Sequence, residues 1–336
     1  MTGSSHQSFG LIGRRELLCG GAALLAGCGG EASRPLLSAD THPNGYPTVE
    51  AVRFMGEELR RRTNGRLGVK IFAGAQLGVE RDTLEITSFG GLDLNRVNLA
   101  PLNSIEPLTE VLGLPFLFRD AAHLHRVLDG EPGRNILDSL AKHELIGLCY
   151  YDSGERSFYN TRGPINEPAD MAGMKIRVPN SDLYLAMVRG LGANPTPIAF
   201  AEVYQSLVQG VIDGAENNWP SYENARHFEA AGYYSLTRHL LAPEVLVMSK
   251  KSWDRLNADD QIAVRESALL SVGVMRELWA ARVEEARATI LASGVQVNQV
   301  ANRDAFADAM RPVWNDFMRS PEQKRVLAMI EALADA

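Results

Sequence analysis

Apolar positions recur along this chain with two periods. In GMKIRVPNS, Gly173 to Ser181, they fall at every second residue, Met174, Ile176 and Val178, the pattern of a strand with one face on a core. Arg177 faces the other way and Pro179 ends the strand. Upstream, YPTVEAVRFMGEELRRRTNG reads as a helix with Val49, Val52, Met55, Gly56 and Leu59 on one face and Gly65 as its stop. RLGVKIF alternates as a strand, ERDTLEITSFGG reads as a helix and LDLNRVN as the next strand. LPFLF (114–118) is a buried apolar run, residues 120–143 read as helical, and LIGLCYY (145–151) is a strand. Strand and helix in alternation predict an α/β domain.

The middle third continues the alternation. After 174–179, Ser181 or Asp182 caps a helix with Leu183, Met187 and Leu191 on one face. NPTPIA is extended, FAEVYQSLVQG is a helix stopped by Gly210, and VIDGAENNW is a strand carrying Asn217 and Asn218 past its end. A βαβαβ run puts the carboxyl ends of its strands on one edge, and ligands of open α/β sheets sit outside that edge. Arg177 and Asn217, distant in sequence, are therefore expected at one crevice. PEVLVMSKK, Pro243 to Lys251, is another strand. The proline-free pattern from Ala258 to Ser293 is helical; at about 1.5 Å per residue it runs about 50 Å, enough to span two lobes. VWNDFMRSPEQKRVLAMIEAL supplies closing helices.

Charge and the N-terminus narrow the class. A formal charge of -7 over 336 residues argues against nucleic acid, which selects basic surfaces. LIGRRELLCGGAALLAGC starts with Arg14-Arg15 and runs apolar from Leu17 to Gly27, too short to cross a bilayer. It ends in Leu25-Ala26-Gly27-Cys28, which resembles a bacterial lipobox with Cys28 as the lipidated residue; Arg14-Arg15 loosely resembles a twin-arginine signal. Residues 1–27 are expected as a lipoprotein-type signal peptide and 28–37 as a tether. Their removal takes two arginines and one glutamate, leaving -8, and takes Cys19. Cys149 then stands alone, so no internal disulfide is expected.

Enzyme motifs are scarce. No G-x-S-x-G, H-E-x-x-H or phosphate loop occurs. His123 and His125 stand two apart and so point to different sides of a helix, which predicts solvated histidines rather than a metal pair. Gly192, followed closely by Pro195, reads as a helix stop. Neither a metal nor a cofactor is expected.

The stretch GMKIRVPNSDLYLAMVRGLGANPTPIAFAEVYQSLVQGVIDGAENN resembles the extracytoplasmic solute receptors of tripartite ATP-independent periplasmic (TRAP) transporters. The resemblance extends to GRLGVKIFAGAQLGVERDTLE, VLGLPFLFRDAAH and PEVLVMSKKSWDRL, and covers most of residues 38–320. It implies a two-lobed α/β periplasmic-binding-protein fold with hinge strands and a long helix bracing both lobes. Lobe I is expected over 38–152 plus 244–285 and lobe II over 153–243 plus 286–336. The resemblance further implies that Arg177 forms a salt bridge with a ligand carboxylate and that Arg156 and Asn217 line the same site. Asn98 and Glu80 fall where the family presents polar groups from the first lobe, with Asn180 and His42 as further candidates. The chemistry agrees: arginine offers parallel donors to a carboxylate's two oxygens, and hydroxyl-rich ligands need amides and carboxylates.

RSFYNTRGPI, RVPNSDL, ENNWPSYENARH and RHLLAPEVLVMSK most resemble the branch that binds sugar acids, in particular hexuronates such as glucuronate and galacturonate. Trp219 and Tyr222 could stack on a sugar ring, or equally serve as core or hinge aromatics. Arg96 departs from members with an uncharged residue there and could serve a hydroxyl or a second carboxylate, which leaves an aldarate or a C4-dicarboxylate open. The implied partners are a small organic acid and the small and large TRAP membrane subunits, with the protein a periplasmic monomer held at the membrane only through its lipid. Against this stand an exported enzyme for acidic sugars, for which Glu80 and Glu216 are the available carboxylates but no motif makes them a pair, and a receptor that docks a signalling protein.

Overall fold

The computed structural model describes residues 1–3 and 35–334. The signal peptide and Cys28 lie outside the described residues. Eleven strands, β1 Leu36–Ala39, β2 Val69–Phe72, β3 Leu94–Asn98, β4 Leu145–Tyr151, β5 Arg156–Asn160, β6 Lys175–Val178, β7 Asn194–Pro197, β8 Gly214–Asn217, β9 Tyr233–Leu240, β10 Glu244–Ser249 and β11 Gln296–Gln299, form two sheets among the described residues. The α-helices are α1 Pro47–Arg62, α2 Glu80–Ser88, α3 Leu99–Asn103, α4 Ala121–Asp129, α5 Glu131–Ser139, α6 Asp182–Gly190, α7 Val203–Val208, α8 Trp219–Asn224, α9 His227–Ala230, α10 Lys250–Trp253, α11 Ala258–Ala292, α12 Arg303–Phe317 and α13 Pro321–Ala332.

The first sheet has the order β2-β1-β3-β10-β4 and the second β11-β9-β5-β8-β6-β7. Strands β1, β2 and β3 are parallel and β10 runs against β3 and β4. In the second sheet β6, β7 and β8 are parallel and β5 runs against β8 and β9. The chain changes sheets between Tyr151 and Arg156 and again between Leu240 and Glu244. Helix α11, 35 residues long, packs along α1 beside the first sheet and against α8 beside the second. An Arg282–Glu223 ion pair ties it to α8, and Arg276 holds Asp129 of α4 at 2.8 Å.

Local chemistry explains these elements. In α1, Val49, Val52, Met55 and Leu59 are at most 1% exposed, each burial contributing about 1.5–3 kcal/mol. Pro47 opens the helix, where its missing N–H costs nothing. Gly56 lets α1 lie on the first sheet, because a Cβ there would fall 2.9 Å from Val69 Cβ. On β6, Met174, Ile176 and Val178 are buried as their alternation predicts, but Arg177 is buried too, at 4%.

Several expectations need correcting. The tether is shorter than 28–37, since β1 begins at Leu36 and pairs with β2. The helical stretch 120–143 breaks at Gly130, whose extended backbone, followed by Pro132, starts a second helix. Ser181 occupies the N-cap position of α6 without capping it; its hydroxyl accepts from Asn103 Nδ2 at 3.0 Å. His123 is buried, its Nε2 bonded to the Ile330 carbonyl at 3.0 Å, while only His125 is partly exposed, pairing with Asp152. Helix α13, within the stretch expected in lobe II, packs instead against α5 and the turn Pro107–Gly113 of the first lobe. There Gln323 Nε2 donates to the Pro107 carbonyl at 3.0 Å.

Candidate functional site

The two sheets face each other across a small cleft. Its first-lobe wall consists of Thr41 and His42 just past β1, Glu80 opening α2, Arg96 and Asn98 on β3, and Glu244. The opposite wall holds Arg156, Arg177, Pro179, Phe200, Asn217 and Ser221. The topology dictates this list: parallel strands deliver their carboxyl ends to the cleft, and the antiparallel β5 and β10 deliver their first residues, Arg156 and Glu244.

Three buried arginines meet here in different electrical states. Arg96, 1% exposed, donates through Nε and Nη2 to Asp40, through Nη1 to Glu80 and Glu244, and through Nη2 to Thr41 Oγ1. All five of its N–H groups are thus engaged. Arg156 forms a fork on Glu216, Nε to Oε2 at 2.6 Å and Nη2 to Oε1 at 2.7 Å. Burial alone would raise the Glu216 carboxyl, but the Arg156 charge and hydrogen bonds prevail and lower it to about 2. Arg156 Nη1 has no partner among the described residues.

Arg177 is the exception. Its Nε donates to the Ile198 carbonyl at 2.8 Å, and among the described residues no carboxylate pairs with it. Burial lowers its pKa, with neighbouring Arg156 adding to the effect. A desolvated guanidinium with an unused fork, at the edge where open α/β sheets bind ligands, has the chemistry to receive an anion.

Further polar groups surround it. Glu80 Oε1 accepts from Arg96, from the Asn98 backbone at 3.1 Å and from Thr41; burial raises its pKa against the pull of Arg96. Asn98 caps α3 through Oδ1, leaving its Nδ2 for the cleft. Asn217 Oδ1 accepts from the Asn218 backbone, again leaving Nδ2. His42 stacks on Tyr46 with centroids 3.7 Å apart, and its Nδ1 is buried without a partner among the described residues. Burial, then the Arg96 charge, lowers its pKa to about 4, so its ring is neutral at pH 7.

Of the sequence candidates, Arg177, Arg156, Asn217, Asn98, Glu80, His42 and Arg96 line the cleft. Asn180 is exposed and borders two outer chambers rather than this cleft. Arg96 is a correction: with three carboxylates around it, it braces the first lobe and has no donor left for a second ligand carboxylate. Trp219 and Tyr222 are corrections as well. Tyr222 is fully buried against Tyr159, and Trp219 stacks on Tyr234 at 4.3 Å in a groove beside α11, away from the cleft. Sequence reasoning missed Thr41, Phe200, Ser221 and Glu244. The signal for Glu244 was available: an acid opening an otherwise apolar strand.

Comparison with known proteins follows the same lines. The profile for the bacterial extracellular solute-binding proteins of family 7 matches residues 38–320. A solute-binding protein of Chromohalobacter salexigens is 42% identical over 86% of this chain and 87% of its own length. A TRAP periplasmic solute-binding protein from Bradyrhizobium, crystallised in complex with α/β-D-galacturonate, superposes with a TM-score of 0.88 at 51% identity over 89% of this chain and 100% of that one. One from Roseobacter denitrificans with bound β-D-glucuronate superposes with a TM-score of 0.87 at 41% identity over 89% and 99%.

Proposed function

This chain belongs to the bacterial extracellular solute-binding proteins of family 7, the receptors of TRAP transporters, and from that premise we propose that its solute is a hexuronate, D-galacturonate or D-glucuronate. The observation that carries the reading is Arg177, a buried guanidinium with no carboxylate partner among the described residues. It receives the sugar acid's carboxylate, with Arg156 Nη1 beside it. Asn98, Asn217, Glu80 and His42 meet the ring hydroxyls, and Phe200, whose ring lies 5.6 Å from that of His42, faces the ring's C–H groups. The uronate ligands of similar receptors support the same class.

A C4-dicarboxylate or aldarate fits less well. It brings a second carboxylate, and the two other buried arginines of the cleft are already paired, Arg96 with Asp40, Glu80 and Glu244, Arg156 with Glu216. An enzymatic reading finds Glu216 forked to Arg156 and Glu80 bonded to Arg96, which leaves no free acid–base pair. Titration calorimetry with galacturonate, glucuronate, galactarate and succinate tests this. Tighter binding of galactarate or succinate than of either hexuronate would reject the hexuronate assignment.

The mature receptor is a periplasmic monomer anchored through lipidated Cys28, and it hands its solute to the small and large membrane subunits. The lipobox Leu25-Ala26-Gly27-Cys28 supports the anchor. Replacing Cys28 with Ser should release the protein from membranes on fractionation; equal partitioning of wild type and variant would remove the anchor from this account.

A further inference from the structure

The cleft does not end at the cavity around Arg177. It continues into an outer chamber of about 370 Å³, against about 40 Å³ inside. Thr41, Glu80, Arg177, Pro179 and Phe200 line both, so the two spaces join. Their walls differ in character. The inner one is built of charged and amide groups, the outer one largely of Val79, Pro101, Ile198 and Ala199. Two exposed polar side chains stand at the outer rim, Arg81 and Asn180. Neither has a hydrogen-bond or ion-pair partner among the described residues.

We propose that the outer chamber holds a second uronate ring, so that the receptor accepts an O4-linked diuronate as well as a single hexuronate. The inference rests on the hexuronate reading above and extends it. In a hexuronate the carboxylate is carried on C5, and the neighbouring carbon bears O4. With the carboxylate on Arg177, which borders both spaces, O4 is the ring hydroxyl nearest the junction, and a substituent there leads outward. The second ring would lie with its C–H groups on the apolar wall. Its carboxylate would meet Arg81, whose planar donors suit it, and Asn180 would serve a hydroxyl.

The test is calorimetry on wild type and Arg81→Ala with D-galacturonate and α-1,4-linked digalacturonate. Arg81 is exposed and does not line the inner cavity, so the variant keeps the fold and the single-ring site. Digalacturonate should bind wild type one to one, within about tenfold of galacturonate. Arg81→Ala should weaken digalacturonate by about fivefold, the size of an exposed ion pair, and leave galacturonate unchanged. Arg81→Lys should recover part of the loss. Binding of galacturonate without digalacturonate, or a loss in Arg81→Ala that is equal for both acids, overturns the extension alone. If neither acid binds, the hexuronate reading falls and the extension falls with it.

Discussion

At the residue scale the cleft is distinguished by Arg177, buried and without a carboxylate partner among the described residues. Buried charges without partners are costly, and replacing one by an apolar group of similar length is often neutral or stabilising. Arg177→Met should therefore melt no lower than wild type without ligand, yet bind galacturonate roughly 10²- to 10³-fold more weakly, a loss of about 3–4 kcal/mol. Arg177→Lys keeps the charge without the fork and should also bind weakly. Thermal melts with and without galacturonate check both effects, since ligand at about 100 times its Kd adds roughly 2.7 kcal/mol to the wild type. A variant that unfolds early and still binds within threefold would make Arg177 a structural residue. His227 supplies a second test. The Tyr159 hydroxyl and its Nδ1 share a hydrogen bond of 2.7 Å, its Nε2 is buried without a partner among the described residues, and burial, then the Arg177 charge, lowers its pKa to about 3. The unfolded chain, with His near 6.5, binds that proton earlier, so the stability that neutral His227 contributes is present above pH 6.5 and is lost as pH falls towards 3. His227→Gln keeps a hydrogen-bonding amide for Tyr159 and should flatten the decline of melting temperature between pH 6.5 and 4; an unchanged slope would place the acid sensitivity elsewhere. The sequence made Arg177, Arg156 and Asn217 legible because a strand end and a motif coincide at each. It could not reveal that Arg96 is neutralised, because Asp40, Glu80 and Glu244 come from three distant segments.

At the element scale, strong periodicity was legible and covered backbone was not. Helices α1 and α11 and strands β4, β6 and β10 follow their patterns. Strand β5 went unread because its residues, RSFYN, show no apolar alternation. Strand β9 went unread because Arg238, with φ of 45°, interrupts its pleat. The unread strand ends are also the crossings between lobes. Gly154 lies in the first crossing with φ of +61°, and a Cβ there would sit 2.9 Å from Trp279 Nε1 on α11. Gly154→Ala should therefore cost about 1–3 kcal/mol through the left-handed backbone and the displaced indole. Gly163, whose Cβ position is open and whose φ is unstrained, is the control, and its alanine variant should be neutral or slightly stabilising. Chemical denaturation of the two variants measures this; equal stabilities would mean that the crossing tolerates a side chain and that α11 does not fix it.

At the scale of the whole molecule, two lobes joined by two crossings and one long helix make a hinge, crossed by polar pairs and by an apolar contact in which Leu183 of α6 packs on Gly113 in one buried cluster with Leu99. Tyr46 before α1 meets Ser221 of α8 with 3.0 Å between hydroxyl oxygens, and Asn103 reaches Ser181 at the same distance. Such pairs form as readily with water when the lobes part, so they contribute little net preference for closure. The α/β alternation and the long helix made the two-lobed plan legible. The return of α13 to the first lobe was not, because an amphipathic pattern shows that a helix has a buried face without naming what covers it. A ligand held from both walls would add a preference that those polar pairs lack: it would contact Asn98 and Glu80 on one side and Arg177 and Asn217 on the other only when the cleft is shut. It would therefore bind the closed state better and shift the population towards it by that differential affinity. Small-angle scattering should then show a smaller radius of gyration with saturating galacturonate, approaching the roughly 19 Å of a compact chain of about 300 residues. Arg177→Met at the same ligand concentration should stay at the unliganded radius, because without the guanidinium the acid no longer favours one state. An identical profile for wild type with and without bound galacturonate would mean that the cleft is permanently shut and that solute enters by another motion.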